Sequence, residues 1–337
     1  MATASDVAKL AGVSQSTVSY VMSGARSISP ETRARVEAAM RDLSYYPNAG
    51  ARALAGNRTH VIGLVVRLPE NTDLAALLPF IDTISGYCRE RDYDMVLVTE
   101  DEGPAGLERL AGRAIVDAII MMDIKRDDNR VATARKLNIP VVLIGIPDDS
   151  DGLDCVDFDV SRAGRLAAEE LVETGCTRII LIGESPAVRA QRFGFVTEFA
   201  QALQEASSLA GARFDVFEPD AEGWAGFSEF DHVVEQIRSG GVGIVARTPR
   251  AIDIIMQILM SQGVSPGRDV ALVGLCADAT AEAFRIPVTN VSPEPRDVSR
   301  LAMQTLFGRL NGEDAPQRVR LVAPRLTRRA TTSGMLP

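Results

Sequence analysis

The sequence predicts an α/β protein in two unlike parts: an all-helical head of helix-turn-helix type, then a larger core built on parallel sheets. Three observations lead there. Residues 1–46 hold three short amphipathic helical segments with cap signals and a glycine turn. From Val61 onward, short β-branched runs alternate with helical stretches. Charge is divided between the two parts. Residues 1–58 carry seven Lys/Arg and four Asp/Glu, a net of +3, while the remainder carries 29 basic and 41 acidic residues, a net of −12. A basic head on an acidic body is the asymmetry expected when only the head meets phosphate.

In the head, Thr3-Ala4-Ser5-Asp6 has the form of a capping box opening a first helix, with Val7, Ala8, Leu10 and Ala11 as its apolar face. Gly12 breaks that helix and Ser14 caps a second. In the second, Val18, Val21, Met22 and Ala25 share one side; Ser16, Tyr20 and Ser23 face away, with Gln15 and Ser19 between. Ser29-Pro30-Glu31 caps a third helix, whose inner stripe is Val36, Ala39, Met40 and Leu43. A tight glycine turn between the first two helices is the helix-turn-helix arrangement, which would send the second helix into a major groove. Gln15 can pair with adenine through N6 and N7, and Ser16 or Ser19 can bond a base or phosphate. Tyr20 offers its ring to a thymine methyl or its hydroxyl to phosphate.

Residues 47–58 form a hinge. Asn48 can cap a helix over about 49–55 that Gly56 terminates. Such a helix is too short to persist alone in water, and Gly50 weakens it by about 1 kcal/mol relative to alanine. It should fold only when held, and Leu54, its one large apolar residue, has no local core. Wedging between base steps of a minor groove would satisfy both facts.

The core's apolar runs are Val61–Val66, Met95–Val98, Ala118–Met122, Val141–Ile144, Ile179–Ile182, Gly243–Val245, Val270–Val273 and Val288–Val291. No GxGxxG or GxxxxGK[ST] loop follows any of them, which argues against dinucleotide or P-loop chemistry. Four cysteines, Cys88, Cys155, Cys176 and Cys276, lack CxxC spacing and are expected as buried free thiols, with no metal site and no cofactor. The two histidines, His60 and His232, have no companion nucleophile, so an enzyme is not expected. No leader peptide or membrane span is expected, and Met335-Leu336-Pro337 carries no heptad that would make a tetramer.

Residues 3–58 resemble the lactose-repressor/galactose-repressor (LacI/GalR) family of bacterial transcription factors. The stretches that carry the resemblance are Asp6-Val7-Ala8-Lys9-Leu10-Ala11-Gly12-Val13-Ser14, Ser16-Thr17-Val18-Ser19, Ser29-Pro30-Glu31-Thr32-Arg33 and Tyr46-Pro47-Asn48. The resemblance implies that Gln15, Ser16 and Tyr20 read bases, and that Thr3, Ser14, Thr17, Ser19, Ser27 and Thr32 contact the backbone. Leu54 becomes the minor-groove lever, with Asn48 and Arg52 beside it. Many members have arginine where this chain has Tyr20, so their operator sequences do not transfer.

The core resembles the same family through Val156-Asp157-Phe158-Asp159, Gly164, Leu171-Val172-Glu173-Thr174-Gly175, Asp269–Gly274 and Leu326–Thr331. This implies a two-lobed periplasmic-binding-protein-like core over 59–337. Lobe one would take about 59–159 plus 291–319, and lobe two about 160–290 plus 320–332. An effector would lie between the lobes at the carboxyl ends of the strands. The implied effector residues are Asn71 and Asp73 in the first βα loop, Asp159, Arg189, Arg192, Trp224, Arg247, Cys276 and Asp278. Two customary acceptors of sugar hydroxyls are missing, and Arg247 stands near one of them. A neutral sugar is the preferred effector, because most relatives sense sugars; an anionic ligand held by Arg247, Arg189 or Arg192 is the alternative. The whole reads as a cytoplasmic, nucleoid-associated homodimer on a pseudo-palindromic double-stranded DNA operator, a repressor of a carbohydrate-uptake or catabolic operon without membrane contact. Whether the ligand induces or corepresses stays open, as does the rival reading of a ligand-binding protein without DNA function.

Overall fold

The computed structural model describes residues 2–23, 26–45, 58–68, 74–99, 102–150, 152–221 and 223–334. The head packs α1 (Ala4–Ala11), α2 (Gln15–Ser23) and α3 (Pro30–Asp42) around Val7, Ala8, Ala11, Val18, Val21, Val36 and Ala39. Met22, Met40 and Leu43 close this small core, as the helical spacing requires. Leu10 is a correction: it is 54% exposed, because α1 presents only its Val7–Ala8–Ala11 edge to the other helices. Gly12 ends α1 in the left-handed region (φ 65°), where a side chain would strain the turn.

The core alternates strand and helix. The first lobe runs β1 (Val61–Val65), α4 (Leu74–Arg89), β2 (Asp94–Val98), α5 (Gly103–Gly112), β3 (Ala118–Met121), α6 (Arg130–Ala134), β4 (Val141–Ile144) and β5 (Asp154–Phe158). The chain then enters the second lobe through α7 (Val160–Glu173), β6 (Arg178–Ile182), α8 (Pro186–Ala190), α9 (Gly194–Leu209) and β7 (Arg213–Phe217). A 3-10 turn (Gly223–Phe227), α10 (Asp231–Arg238), β8 (Val242–Ala246), α11 (Pro249–Ser261), β9 (Ala271–Leu275), α12 (Asp278–Ala283) and β10 (Thr289–Ser292) follow. It returns to the first lobe with α13 (Pro295–Leu310) and β11 (Val319–Val322), and ends in the second with β12 (Arg325–Thr327) and α14 (Ala330–Ser333).

Two six-stranded sheets result, ordered β11-β5-β4-β3-β1-β2 and β12-β10-β9-β8-β6-β7. Every neighbouring pair is parallel except β10 with β12. The chain crosses between lobes three times, after Phe158, after Ser292 and between Val322 and Arg325. Val291 is still paired with Leu275 in the second sheet and Leu321 with Asp157 in the first, so the return segment begins and ends slightly later than 291–319. Strand register, not the end of an apolar run, sets these crossings. Apolar side chains cover both faces of each sheet, as parallel strands demand. Among the described residues no helix is long and apolar enough to cross a membrane.

Candidate functional site

The head presents hydroxyls and amides at the start of α2. Ser14 Oγ accepts from Thr17 N at 3.1 Å and lies 2.8 Å from both Ser16 Oγ and Thr17 Oγ1. Gln15 and Ser16 are exposed, while Ser19 and Tyr20 are half-buried. The Arg26 guanidinium sits 5.3 Å from the centre of the Tyr20 ring, a cation–π approach that steadies the ring. Thr3 closes the expected capping box: Asp6 N donates to Thr3 Oγ1 at 3.3 Å and Thr3 N donates to Asp6 Oδ2 at 2.9 Å. The hydrogen bond from Thr3 holds the Asp6 carboxyl below its usual range. Ser29 Oγ donates to Thr32 Oγ1 at 2.9 Å and caps α3, and Ser27 is exposed just before it. Asn48, Arg52 and Leu54 lie outside the described residues.

Where the hinge meets the core, Thr59 N and His60 N donate to the two oxygens of Asp117 at 2.6 and 2.9 Å. Arg58 Nη2 donates to the Leu310 carbonyl at 2.5 Å, at the end of α13. The entering chain is thereby tied to the start of β3 and to the return helix of the first lobe.

A cleft of about 580 Å³ opens between the lobes at the carboxyl ends of their strands. Arg67, Glu102, Lys125 and Asp127 line it from the first lobe, and Gln191 and Arg192 from the second. Its floor is braced by a buried network. Arg130 donates to both oxygens of Asp128 (2.9 and 2.7 Å) and to the carbonyls of Met122 and Asp123 (3.3 and 3.1 Å). Burial pushes the Asp128 carboxyl up, but the hydrogen bonds and charge of Arg130 outweigh it and hold the group at about 2. Arg67 donates to the Asp123 carbonyl at 2.6 Å and lies 3.6 Å from Asp128. The lobes touch here: Arg126 N donates to the Arg192 carbonyl at 3.4 Å, and Asp127 faces Arg192 at 3.6 Å.

Of the effector residues expected from sequence, Arg192 lines this cleft. Arg189 stands beside it in α8, donating to the Glu184 carbonyl at 2.6 Å and pairing with Glu218 at 3.3 Å. Arg247 follows β8 as expected but is buried, paired with Glu184 at 3.2 Å, its guanidinium 5.3 and 5.6 Å from the Phe195 and Phe199 rings. Burial lowers its pKa, and its Nε has no partner among the described residues. Asp159 caps α7, accepting from Arg162 N at 2.8 Å. Asp278 is committed to Arg325 (2.5 Å), Arg329 (3.2 Å) and Asn290 (3.1 Å). Cys276 is a correction: its side chain is buried in the apolar core of the second lobe, because β9 continues through Leu275 with its inward face packed on α11. Trp224 is 53% exposed on the 3-10 turn. Asn71 and Asp73 lie outside the described residues.

Sequence reasoning missed Arg67, Glu102, Lys125 and Asp127 as cleft residues. A signal existed, since Arg67 and Lys125 follow the first and third apolar runs, where α/β sheets bind ligands. All four cysteines are buried free thiols; burial pushes Cys88 up to about 11 and Cys155 to about 12, which leaves both unreactive.

Residues 3–48 match the family described as "Bacterial regulatory proteins, lacI family", and residues 168–332 match "Periplasmic binding protein-like domain". The chain is 30% identical to the HTH-type transcriptional regulator CelR of Thermobifida fusca over 94% of both proteins. It is 26% identical to the HTH-type transcriptional repressor PurR of Vibrio atlanticus (strain LGP32) over 98% of both. Among solved structures, a transcriptional regulator CelR–cellobiose complex aligns with a TM-score of 0.69 at 26% identity, over 98% of this chain and 100% of that one. The Lac repressor dimer bound to operator and the anti-inducer ONPF aligns with a TM-score of 0.78 at 22% identity, over 98% of this chain and 99% of that one. The helix-turn-helix head and the two-lobed parallel-sheet core are common to these proteins.

Proposed function

Because the chain belongs to the lacI family of bacterial regulatory proteins, we propose that it is a sequence-specific repressor of a carbohydrate-uptake or catabolic operon, controlled by a small molecule bound between its lobes. The observation that carries this reading is the joining, in one chain, of a helix-turn-helix head to a core with a cleft between two lobes. The head is 1–46, the hinge 47–58 and the sensor 59–337. Gln15, Ser16 and Tyr20 read bases, and Thr3, Ser14, Thr17, Ser19, Ser27 and Thr32 contact phosphates, with Asn48, Arg52 and Leu54 acting in the minor groove. Two copies read a pseudo-palindrome, and the large apolar side chains left exposed on the first lobe, Leu74 and Leu78 on α4 and Val96 and Leu97 on the edge strand β2, support pairing of the cores. The protein acts in the cytoplasm at the nucleoid, by binding rather than catalysis.

Ligand binding would turn one lobe against the other. The Asp117 clamp and the Arg58–Leu310 contact would carry that motion to the hinge, whose helices part and lower operator affinity. Fluorescence anisotropy on the protein's own upstream DNA tests this, with sugars and glycosides added at fixed salt. Release marks an inducer and tightening a corepressor. Failure to prefer the upstream DNA over unrelated DNA would defeat the reading.

A further inference from the structure

Among the described residues the cleft is lined by three cations, Arg67, Lys125 and Arg192, against two carboxylates, Glu102 and Asp127. Glu102 lines the cleft but accepts from Arg109 Nε and Nη2 at 2.9 and 2.6 Å. Asp127 faces Arg192. Two carboxylates among the expected effector residues are used up by the fold: Asp159 caps a helix, and Asp278 is held by two arginines and an asparagine. On the other side, Lys125 comes from the loop after β3, and its ammonium has no ion-pair partner among the described residues. Arg192 has its side chain 70% exposed at the opposite rim, with the Asp127 carboxylate at the long distance of 3.6 Å. Arg67 enters from the floor, already held by the Asp123 carbonyl at 2.6 Å and by Asp128 at 3.6 Å, and adds its positive charge to the site from there. The cleft walls also carry no aromatic ring among the described residues.

We infer that the effector carries an anionic group, a phosphate or a carboxylate on a small polar body, held between Lys125 and Arg192 with Arg67 beneath. This rests on the reading of the cleft as the effector site. An anion placed there adds the missing countercharge to both lobes at once, because Lys125 belongs to the first and Arg192 to the second. It would therefore favour the closed arrangement that Arg126 N and the Arg192 carbonyl already bridge. A neutral sugar could bridge the lobes through hydrogen bonds, but it would supply none of that countercharge. Guanidinium and ammonium groups on opposing walls accept either kind of anion, so phosphate and carboxylate are separated by experiment.

The test is calorimetric titration of the full chain with matched sets: hexoses, their 1- and 6-phosphates, and the corresponding aldonic and uronic acids, with inorganic phosphate and acetate alongside. Phosphate- or carboxylate-bearing members should bind where their neutral counterparts do not, and rising salt should weaken them. Lys125→Gln and Arg192→Gln should each weaken that binding by at least about tenfold, the worth of one charge-assisted hydrogen bond, while Lys125→Arg retains it. Preference for phosphates or for acids then names the group. Equal binding of neutral members, anion binding indifferent to both Gln variants with unchanged melting temperature, or no binding by any anionic member would each overturn the inference. Operator anisotropy run in parallel separates the two failures. Release by neutral sugars alone defeats the anionic effector and leaves the regulator standing, whereas no operator binding defeats the regulator whatever the calorimetry reports.

Discussion

At Asp128 burial and charge pull in opposite directions, and the arginine wins. Arg130 and Asp128 are both almost fully buried, so removing one strands the other. Arg130→Met is expected to lower the unfolding free energy by about 3–5 kcal/mol, read by chemical denaturation. The Asp128 pKa is depressed in the folded state, from 3.8 to about 2, so its stabilisation is present above pH 3.8 and drains as pH falls toward about 2. That acid-side loss should shrink in the variant. Asp157, at the first lobe crossing, behaves oppositely. Burial raises its carboxyl to about 7, with Glu198 adding to the rise and a hydrogen bond from Phe158 N opposing it. The folded state therefore holds a proton that the unfolded chain releases, and stability falls as pH rises from about 4 to about 7. Asp157→Asn keeps the acceptor for Phe158 N, bonded at 2.8 Å. It should match the parent near pH 4 and exceed it near pH 8; a variant equally stable with the parent at both would show that Asp157 ionises freely in the fold.

The close contact of α7 with α9 depends on one atom's absence. A Cβ on Gly164 would stand 2.7 Å from the Phe199 carbonyl oxygen and 3.0 Å from Leu203 N, and backbone cannot yield as a side-chain tip would. Alanine should gain about 1 kcal/mol in helix propensity and still lose, by about 1–3 kcal/mol net, to the overpacking. Thermal unfolding of Gly164→Ala checks the sign; a variant that melts higher than the parent would mean that the helices can separate without cost. Gly164 was recognisable in sequence as a landmark, but its reason lies in a helix 30 residues downstream. The same limit governs the strands. All eight apolar runs became strands; seven are covered on both faces and must be apolar throughout, while β2, at a sheet edge, keeps Val96 and Leu97 exposed. β5, β7, β11 and β12 were invisible: each lies at or next to a sheet edge and carries Arg, Asp or Thr, so no run marks it. In the cleft, position was legible and use was not. Nothing local in the sequence distinguishes Asp278, spent on Arg325 and Arg329, from Lys125, left facing the cavity.

For the whole molecule, affinity for DNA and specificity for an operator rest on different segments. The net +3 of residues 1–58 must bind phosphate while the net −12 behind it repels. The slope of log K against log salt counts the phosphates neutralised, and under the proposed function the head and the hinge residue Arg52 would set that count. Leu54 adds no charge. Under the proposed function its contribution would be apolar insertion between bases, available only where the hinge segment, too short to be a helix by itself, is held by its twin on a sequence that kinks easily. Leu54→Ala should therefore leave both the salt slope and binding to random DNA unchanged. Binding to the operator should fall by about ten- to a hundredfold, roughly 1.4–2.8 kcal/mol. Anisotropy titrations of both DNAs across a salt series give all three quantities. Equal losses on the two DNAs would remove the wedge from the mechanism, and the tie of the hinge exit to Asp117 and Leu310 would then have to act on the position of the heads rather than on the folding of the hinge.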